Sequence, residues 1–416
     1  MTTGSVFRGW WVLAGVFTVM LAGSGFAFYA QGVFLDALVR EQGFSVGLAG
    51  AGTGFFFLVS GVSGYYAGGL MSRFDIRAVM TAGAAVAAVG IAAMGQIRTG
   101  WQMFVVFFVF GAGYALAGLV PTTSLVTRWF HRRRSVALAI ASTGLSLGGI
   151  AITPLLAQLI DGRTLVTMAP WLALAYLAAV VPVTWLLVRP SPEALGLYPD
   201  GAPPPAEGAP APEPDGVPFD EAVRSPFFRA LAVAFMLVMS AQVGALQHVF
   251  KLTRDRVDVD AASVALIVVT LTSVLARLGG GWAATRMSLA TLTSILIVVQ
   301  SVGIAVIGVA SSMLVILLGC VILGSAMGNL LMLHPLLLAE AFGVRDYPRI
   351  YGLAALTMVV GVGTGPVVVG VVRDAADGYT AAFLIMGVIA LLGLVAFRWA
   401  AANQATPLGE LALKRA

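Results

Sequence analysis

The sequence predicts an all-α membrane protein with twelve transmembrane helices in two halves of six. Two features of its composition point to this class. Hydrophobic residues make up 59% of the chain, with a mean hydropathy of +0.95, and charged residues only 10%. A soluble domain averages about 25% charged residues, so most of this surface must face lipid. The third observation is a series of long, unbroken apolar runs. A membrane barrel would instead show stretches of about ten residues with alternating polarity, so the runs predict helices.

Each predicted span is an apolar run of about 20 residues, the length that crosses the hydrocarbon core. The first run is too long for a signal peptide, and residues 1–7 before it carry no charged side chain. We therefore expect this run to stay in the protein. The single cysteine, Cys320, lies in a run and excludes an intramolecular disulfide and a cysteine-based metal cluster. The twelve runs fall near residues 10–36, 46–70, 78–97, 101–127, 136–159, 169–188, 228–250, 261–284, 289–309, 313–338, 351–372 and 379–400.

A proline-rich segment divides the series of spans into two sets of six. Residues 190–218 hold ten of the nineteen prolines in the chain. With its interspersed acidic residues, the segment predicts a solvated, extended linker. The predicted organisation is an N-terminal six-helix half at 1–189, a linker at 190–226, a C-terminal six-helix half at 227–400 and a tail at 401–416.

The distribution of basic residues predicts the orientation in the membrane. If the N-terminus is cytoplasmic, the cytoplasmic segments carry sixteen of the 24 lysines and arginines, and the outer segments carry seven. This excess places both termini and the linker in the cytoplasm. The net charge of +5 could suggest a nucleic-acid partner, but the charges lie in short loops and are explained as topology signals. We expect a multi-pass monomer in the cell inner membrane.

The fifth and eleventh spans carry similar glycine patterns, which indicates an internal repeat. The first pattern has Gly144, Gly148 and Gly149, and the second has Gly361 and Gly365 followed by Pro366. Small residues at this spacing let helix backbones approach closely in lipid. Plain helix packing explains most of these glycines, but their matching placement favours a repeat of six plus six. Transporters that alternate access to a central site have this plan.

Arg277 is the clearest functional candidate because it lies deep in the eighth span. Ionisable groups inside a membrane are costly and are therefore candidates for function. Its guanidinium matches a carboxylate and stays charged. No aspartate or glutamate occupies the middle of a span, so a substrate anion is a candidate counter-charge. The alternatives are an arginine that reaches the cytoplasmic interface, or one paired with a helix carbonyl.

Two histidines and an asparagine are further candidates. His334 and Asn329 lie in the tenth span, where His334 could relay a proton or bind substrate. His248 lies at the outer end of the seventh span, where we expect an interfacial position, with a proton-entry role as the alternative. For His334 a structural role in helix packing is the alternative.

Two tyrosines could donate hydrogen bonds to a carboxylate. Tyr29 lies in the outer half of the first span and Tyr114 in the outer half of the fourth. Either could equally be a packing aromatic. We expect Asp36 and Glu340, at the ends of their spans, to be interfacial.

The residues give no sign of an enzyme. Three histidines and one cysteine show no metal-ligand spacing, and no phosphate-binding loop of the Walker type occurs. We therefore expect no catalytic residues, no metal, no cofactor and no direct use of ATP.

Three stretches carry a resemblance to a known family. The loop from Gly68 to Arg77 resembles the signature loop of the major facilitator superfamily, with Ser72 and Asp75 replacing its usual aspartate and second glycine. The residues from Gly9 to Val12 and from Trp129 to Ala137 resemble the monocarboxylate porter and oxalate–formate antiporter group. The resemblance covers nearly the whole chain and implies the major facilitator fold.

The resemblance also implies roles for particular residues. Arg277 matches the arginine of the eighth span that is taken to bind the substrate carboxylate in this group. Arg73, Arg77 and Arg132 match basic residues that help to close the cytoplasmic side. The resemblance therefore implies a carboxylate site and a cytoplasmic gate.

The chain departs from the group at the positions linked to ion coupling and to a second carboxylate. A lysine in the first span is Tyr29 here, and an aspartate before the arginine is Ser273. Relatives that exchange dicarboxylates carry a second cation in the eleventh span, where this chain offers only Thr357. One cation suits one carboxylate, so a monocarboxylate is favoured over oxalate.

The leading hypothesis is secondary transport of a small monocarboxylate, such as lactate, pyruvate or an aromatic or branched acid, by proton symport. Arg277 would hold the carboxylate, with Tyr29, Tyr114, Asn329 and His334 shaping the site. His334, His248 or the substrate itself would carry the proton. The alternatives are efflux of apolar or cationic compounds, anion exchange of the oxalate–formate type, and a membrane sensor without transport.

Overall fold

The computed structural model describes residues 7–130, 133–201, 216–284, 286–343 and 345–403. Helices dominate these residues, and their one β-bridge is an isolated pair between Gly216 and Gly343. Twelve helical segments are long and apolar enough to cross a membrane. The predicted fold class and number of spans are therefore confirmed.

The chain forms two compact units. Unit 1 comprises Met1–Phe44 and Phe55–Ala209, and unit 2 comprises Ser45–Gly54 and Pro210–Ala416. The division between Ala209 and Pro210 falls inside the proline-rich segment. The first turns of the second spanning helix group with unit 2, which no feature of the sequence predicted.

The helices that begin in residues 1–201 are long and three of the spans are interrupted. A π-helix over Ser24–Phe28 separates α1 from α2, and short breaks separate α5 from α6 and α7 from α8. These helices are α1 (Arg8–Gly23), α2 (Ala30–Gln42), α3 (Val46–Arg73), α4 (Ile76–Ala93), α5 (Gly100–Ala117), α6 (Leu119–Trp129), α7 (Arg134–Ala151), α8 (Thr153–Asp161) and α9 (Leu165–Leu186).

Local sequence explains where two of these helices begin and break. Thr99 and Gln102 form a capping box that starts α5, in which each side chain bonds the other's backbone. The span containing α7 breaks just before Pro154, which lies in the first turn of α8, where a missing N–H costs little. At this position the proline removes no hydrogen bond that the helix would otherwise form.

The remaining helices are mostly uninterrupted. Ser225 caps α11 by accepting a bond from Phe228 N, and Pro226 occupies the first turn. Pro335 and Pro366 lie inside α14 and α15 without ending them. These helices are α10 (Phe219–Arg224), α11 (Pro226–Arg256), α12 (Val259–Ala284), α13 (Leu289–Val309), α14 (Met313–Phe342), α15 (Tyr347–Ala375) and α16 (Tyr379–Ala402).

Glycine pairs produce the same close helix contact in each unit, which we call the glycine seam. In unit 1, a methyl group on Gly144 or Gly148 of α7 would lie 2.6 or 2.3 Å from a backbone oxygen of α1. In unit 2, a methyl group on Gly361 or Gly365 of α15 would lie 2.0 or 2.1 Å from a backbone oxygen of α11. Both pairs are spaced by four residues, as the sequence pattern of a repeat suggested.

The described parts of the linker differ from the predicted extended chain. Residues Glu193–Leu195 and Pro199–Gly201 form 3-10 turns, and α10 follows near the other end. Asp200 Oδ1 accepts a bond from Arg133 N at the start of α7. At the far end, Val217 N donates to Phe342 O and Phe219 N donates to Asp346 Oδ2. These contacts within each unit offset the preference of proline for an extended chain.

Candidate functional site

Arg277 projects from α12, a helix whose apolar run up to that residue is long enough to cross a membrane. Its side chain is half-buried. Placing a charged group inside a membrane span costs free energy, which is why the sequence indicates Arg277 as a functional candidate. The guanidinium does interact with another group of the chain, so a substrate would add to its contacts rather than supply the first one.

Gly328 on the neighbouring helix α14 leaves the space that the Arg277 side chain occupies. A methyl group on Gly328 would lie 2.7 Å from both Arg277 Nε and Ser273 Oγ. The guanidinium therefore lies directly against the backbone of α14, and any side chain at position 328 would displace it. Ser273 Oγ is buried and has no hydrogen-bond partner within the described residues. Gly328 is a site residue that the sequence analysis missed, because one glycine among 49 carries no distinctive signal.

Asn329 locks α14 onto α12 next to the arginine. Its amide nitrogen donates to Ala276 O at 3.0 Å, directly before Arg277, and to Ser325 O at 3.2 Å. A methyl group on Gly280 would lie 1.9 Å from Asn329 Oδ1, so the amide fills the space beside that glycine. These contacts fix α12 against α14 on both sides of Arg277.

His334 is buried in an aromatic setting in α14. Its ring lies 4.5 Å from the Phe235 ring and 5.9 Å from the Tyr351 ring, between centroids. Within the described part of the chain, neither ring nitrogen has a hydrogen-bond partner. A buried imidazole normally uses at least one nitrogen. His334 therefore has both a donor and an acceptor to offer to a ligand or to water.

His248 is fully buried within unit 2, and its interfacial depth in the membrane stays a prediction. Helix α11 continues to Arg256 and has 31 residues, about 46 Å of helix. The charged residues after His248 had suggested an earlier end. Its Nε2 lies 2.9 Å from Pro366 O, which can only accept, so Nε2 carries the proton. Nδ1 then accepts from the Tyr379 hydroxyl at 3.3 Å.

Asp36 is also buried, within unit 1. The first span extends to Gln42, so Asp36 lies more than one turn from its end. The side chain is 2% exposed and lies 3.9 Å from Arg40 Nε. In both cases charged residues in the last turns of a helix made the span look shorter than it is.

Tyr29 follows the π-helix in unit 1. Its backbone N–H closes the wide turn by donating to Ser24 O at 2.8 Å. Its ring packs on α7, where a methyl group on Gly149 would lie 2.8 Å from Cδ2. The ring also contacts Phe28, at 5.1 Å between centroids. Single π turns inside helices are frequent at functional sites. Nothing in the local sequence distinguished this turn from a regular helix.

Tyr114 and Gln31 are two further polar residues of unit 1. The Tyr114 ring lies 5.5 Å from the Phe56 ring and is largely buried. Gln31 is fully buried, and neither of its amide atoms has a hydrogen-bond partner within the described residues. An unsatisfied buried amide costs free energy, so Gln31 joins Tyr29 and Tyr114 as a candidate contact.

The comparison with known families decides the identity of the fold. The model of the Major Facilitator Superfamily matches residues 17–336, which is more than half of the chain. The chain belongs to the Major Facilitator Superfamily. It is therefore a transporter-family membrane protein and not an enzyme.

Similar proteins of the Major Facilitator Superfamily include curated and structurally solved transporters. Monocarboxylate transporter 13 of Bos taurus is 26% identical over 78% of this chain and 73% of its own length. MFS transporter asaE of Aspergillus flavus is 26% identical over 68% of this chain, and the match spans only 61% of that relative's length. A bacterial homologue of the human lysosomal transporter Spinster has a TM-score of 0.73 at 15% identity, covering 96% of this chain and 98% of that one. This last likeness supports the fold.

The loop from Gly68 to Arg77 is ordered by Asp75, which stands where the superfamily usually has a glycine. Asp75 caps α4 by accepting from Arg77 N at 2.8 Å, and the two side chains pair at 2.7 Å. The Arg77 guanidinium holds the pKa of Asp75 below its usual value. Arg73 is exposed at the end of α3. Arg132 lies outside the described residues. Of the three predicted gate arginines, the structure thus gives Arg77 a defined partner.

Among the described residues, no group of three or more His, Cys, Asp and Glu side chains could hold a metal ion. The polar groups of the site are instead an arginine, amides, hydroxyls and imidazoles. These groups can bind an anion and exchange protons.

Proposed function

We propose that this protein transports a small monocarboxylate, such as lactate or pyruvate, by alternating access. The observation that carries the proposal is Arg277, a half-buried arginine held against Gly328 in an apolar helix. A guanidinium has five N–H donors in a planar fork that matches a carboxylate. It can therefore hold a carboxylate in addition to its contact within the chain.

The similarity to monocarboxylate transporter 13 supports the same substrate class, at 26% identity over most of the chain. The match of Arg277 to the arginine of the monocarboxylate porter group agrees with this. Thr357 remains the only polar side chain in the stretch where dicarboxylate exchangers carry a second cation. These points favour one carboxylate over two.

Further residues would complete the binding of the acid. In unit 2 we assign Asn329 and His334 to the same site as Arg277, with Asn329 holding the helices and His334 offering its ring nitrogens. In unit 1 we assign Tyr29 and Tyr114, whose rings are buried among aromatic side chains. The hydroxyl of a tyrosine can donate to a carboxylate oxygen.

Proton symport is the proposed mode of coupling, with His334 favoured over His248 as the carrier. Both ring nitrogens of His248 are engaged, by Pro366 O and the Tyr379 hydroxyl. Those of His334 have no partner within the described residues, so a proton can be gained there without breaking a bond. The group's lysine and aspartate are absent, so another residue must supply the coupling.

The remaining assignments concern the membrane. We propose a monomer in the cell inner membrane with both termini in the cytoplasm, from the excess of basic residues on that side. Arg73, Arg77 and Arg132 would then lie on the cytoplasmic side, where they would contribute to the gate.

Uptake of labelled lactate into proteoliposomes under an imposed pH gradient tests this function. We expect uptake that rises with an inward proton gradient and falls by about tenfold to hundredfold in Arg277→Ala, since charge-assisted bonds contribute about 1.5–3 kcal/mol. Arg286→Ala, which removes an exposed arginine near the end of the same helix, is the control.

The outcome of this assay separates the proposal from its alternatives. Wild-type rates in Arg277→Ala would refute the anion site. Flux without any effect of the pH gradient would refute proton coupling. Thermal stabilisation by hydrophobic amines but not by carboxylates would favour efflux of apolar or cationic compounds.

A further inference from the structure

Three arginines of unit 1 converge on the last turn of α9. Arg8 Nη2 donates to Leu186 O at 3.4 Å, from the start of α1. Arg189 Nη1 donates to Trp185 O at 3.0 Å and to Val188 O at 2.8 Å. The guanidinium carbon of Arg77, from the start of α4, lies 4.9 Å from the centre of the Trp185 ring. We call Arg8, Arg77 and Arg189 the arginine triad.

The arginine triad has more positive charge than the protein neutralises. Within the described residues, Asp75 is the one carboxylate paired with it, through Arg77 at 2.7 Å. The three side chains are partly exposed rather than enclosed. Each guanidinium has five N–H donors, and the bonds to the protein use one nitrogen of Arg8, one of Arg189 and two of Arg77. Donors for an anionic ligand therefore remain.

The triad lies at the boundary of the apolar spans. Arg8 begins the first span, Arg77 is the second residue of the third, and Arg189 follows the sixth by three residues. This is the depth at which phospholipid phosphates lie. Arginine and tryptophan side chains are typical of this interface.

Exposed apolar side chains adjoin the triad on the membrane side. Trp185 is 46% exposed and Leu186 is 67% exposed, at the residues on which the arginines converge. Trp11, one turn after Arg8 in α1, is 51% exposed. Trp185 is held in place because its Nε1 donates to Thr81 Oγ1 at 3.0 Å. A ligand with both an anionic head and an apolar chain would contact all of these groups.

We infer that the arginine triad binds the phosphate of an anionic phospholipid, with Trp185 and Leu186 against its acyl chain. The helix end explains part of the arrangement, because arginines stabilise the carbonyls of a helix C-terminus. It does not explain Arg77, which stacks on the indole instead of bonding a carbonyl. A soluble phosphate would use the arginines but not this surface.

Native mass spectrometry of the full-length protein tests the inference. The purified protein is titrated with palmitoyl-oleoyl phosphatidylglycerol and, separately, with the phosphatidylcholine of the same chains. We expect phosphatidylglycerol to bind more tightly, and replacing each arginine of the triad by Gln to weaken that binding by about fivefold, from about 1 kcal/mol per basic residue. The triple variant Arg8→Gln, Arg77→Gln, Arg189→Gln should lose the preference.

The control removes the same charge elsewhere. The triple variant Arg224→Gln, Arg229→Gln, Arg286→Gln replaces three exposed arginines of unit 2 and should keep the preference. Equal weakening in both triple variants would overturn the inference, as would equal binding of the two lipids by the wild type. Displacement of the lipid by millimolar inorganic phosphate would overturn the assignment to a lipid.

Loss of the helix-end bonds could unfold the triple variant, so a second variant accompanies it. Arg77→Gln leaves the carbonyl bonds of Arg8 and Arg189 in place and should still weaken phosphatidylglycerol binding by about fivefold. If Arg77→Gln binds the lipid as the wild type does while folded, the indole-stacked arginine is not part of the site.

Discussion

The two units share a backbone joint but differ in their candidate residues. In each, a pair of glycines four residues apart lies against backbone oxygens of one neighbouring helix, α1 in unit 1 and α11 in unit 2. The candidate substrate contacts of unit 1 are tyrosines and an amide. Those of unit 2 include Arg277 and a buried histidine, His334.

This difference separates architecture from function. The seam depends on the absence of side chains and is alike in both units. We therefore interpret it as a feature of the fold and not of substrate binding. Among the candidate substrate contacts, the arginine and the histidine lie in unit 2, although a buried charge is costly wherever it lies. Under the proposed function, the charge that binds the carboxylate comes from Arg277 of unit 2.

Breaking the seam should have the largest effect. Gly148→Leu in unit 1 and Gly365→Leu in unit 2 place a branched side chain where even a methyl group would lie 2.3 or 2.1 Å from a backbone oxygen. Backbone cannot yield as a flexible side chain does, so we expect each to cost at least about 3 kcal/mol. The measurement is the thermal unfolding midpoint of the purified protein.

Two open glycines serve as controls for the seam. An added methyl group would meet nothing within 4 Å at Gly352 in α15 or at Gly69 in α3. Gly352→Leu and Gly69→Leu should therefore unfold within a few degrees of the wild type. A seam variant that matches its control would show that the helices can separate without cost.

The helix ends around Arg256 in unit 2 and Arg98 in unit 1 give the second comparison. In unit 2, Arg256 alone donates to Ile307 O, Gly308 O, Ala310 O and Thr380 Oγ1, at 2.7–3.2 Å. In unit 1 several residues share the corresponding hydrogen bonds. Arg98 donates to Gln42 Oε1 and Gly95 O, and Glu41 accepts from Leu165 N. We expect Arg256→Ala to lower the free energy of unfolding by about 1–3 kcal/mol, and Arg98→Ala by less, because Gln42 Nε2 still donates to Gly95 O and Glu41 still accepts from Leu165 N.

The same unfolding assay measures this pair. Equal losses of stability in Arg256→Ala and Arg98→Ala would show that the divided joint of unit 1 has no redundancy.

A smaller change should sharpen the functional difference between the units. Gly328→Ala places a methyl group 2.7 Å from Arg277 Nε and 2.6 Å from the backbone oxygen of Ser273, so the guanidinium and the contact between α12 and α14 must both adjust. We expect it to weaken the apparent affinity for lactate by about tenfold, the factor for 1.4 kcal/mol. Gly279→Ala, on α12 with nothing within 4 Å, is the control.

A double variant shows whether this glycine acts through the arginine. In an Arg277→Ala background, Gly328→Ala should have no further effect on lactate affinity. An undiminished tenfold effect there would mean that Gly328 matters only for helix packing.

The fold could be predicted because it depends on patterns that span many residues. Lipid requires long apolar helices, so the twelve spans could be predicted from their apolar runs. The glycines of the seam could be predicted because they recur at a helical spacing. Arg277 could be found because a charge within an apolar run is rare. The burial of His248 could not, because it depends on how far α11 continues past charged residues and on which helices cover it.

Other site features depend on single contacts that leave no pattern. The π turn before Tyr29 is closed by one backbone bond to Ser24. The role of Gly328 depends on which helix faces α12 at that height. The ends of the linker are fixed by two single carboxylates, Asp200 within the proline-rich segment and Asp346 just before α15, and neither differs in sequence from an ordinary solvated acid.

The smallest expected effect is the pH dependence of the Asp75–Arg77 pair. The pKa of Asp75 is lowered when folded, so its contribution to stability is present above the unfolded pKa of about 3.9 and is lost as pH falls through the lower folded value. Asp75→Asn keeps a good helix cap and removes the charge. We expect its unfolding midpoint to lie slightly below that of the wild type at pH 7. The difference should shrink towards pH 3, and a difference that grows on acidification would contradict this account.

The most direct test of the central claim is the affinity of the purified protein for lactate compared with lactamide, its neutral isostere. If Arg277 in unit 2 holds the carboxylate, the wild type should prefer lactate by about tenfold or more. Arg277→Lys should keep part of the preference, because it retains charge without the fork. Arg277→Ala should bind the two compounds equally. A preference for lactate that is undiminished in Arg277→Ala would contradict the account.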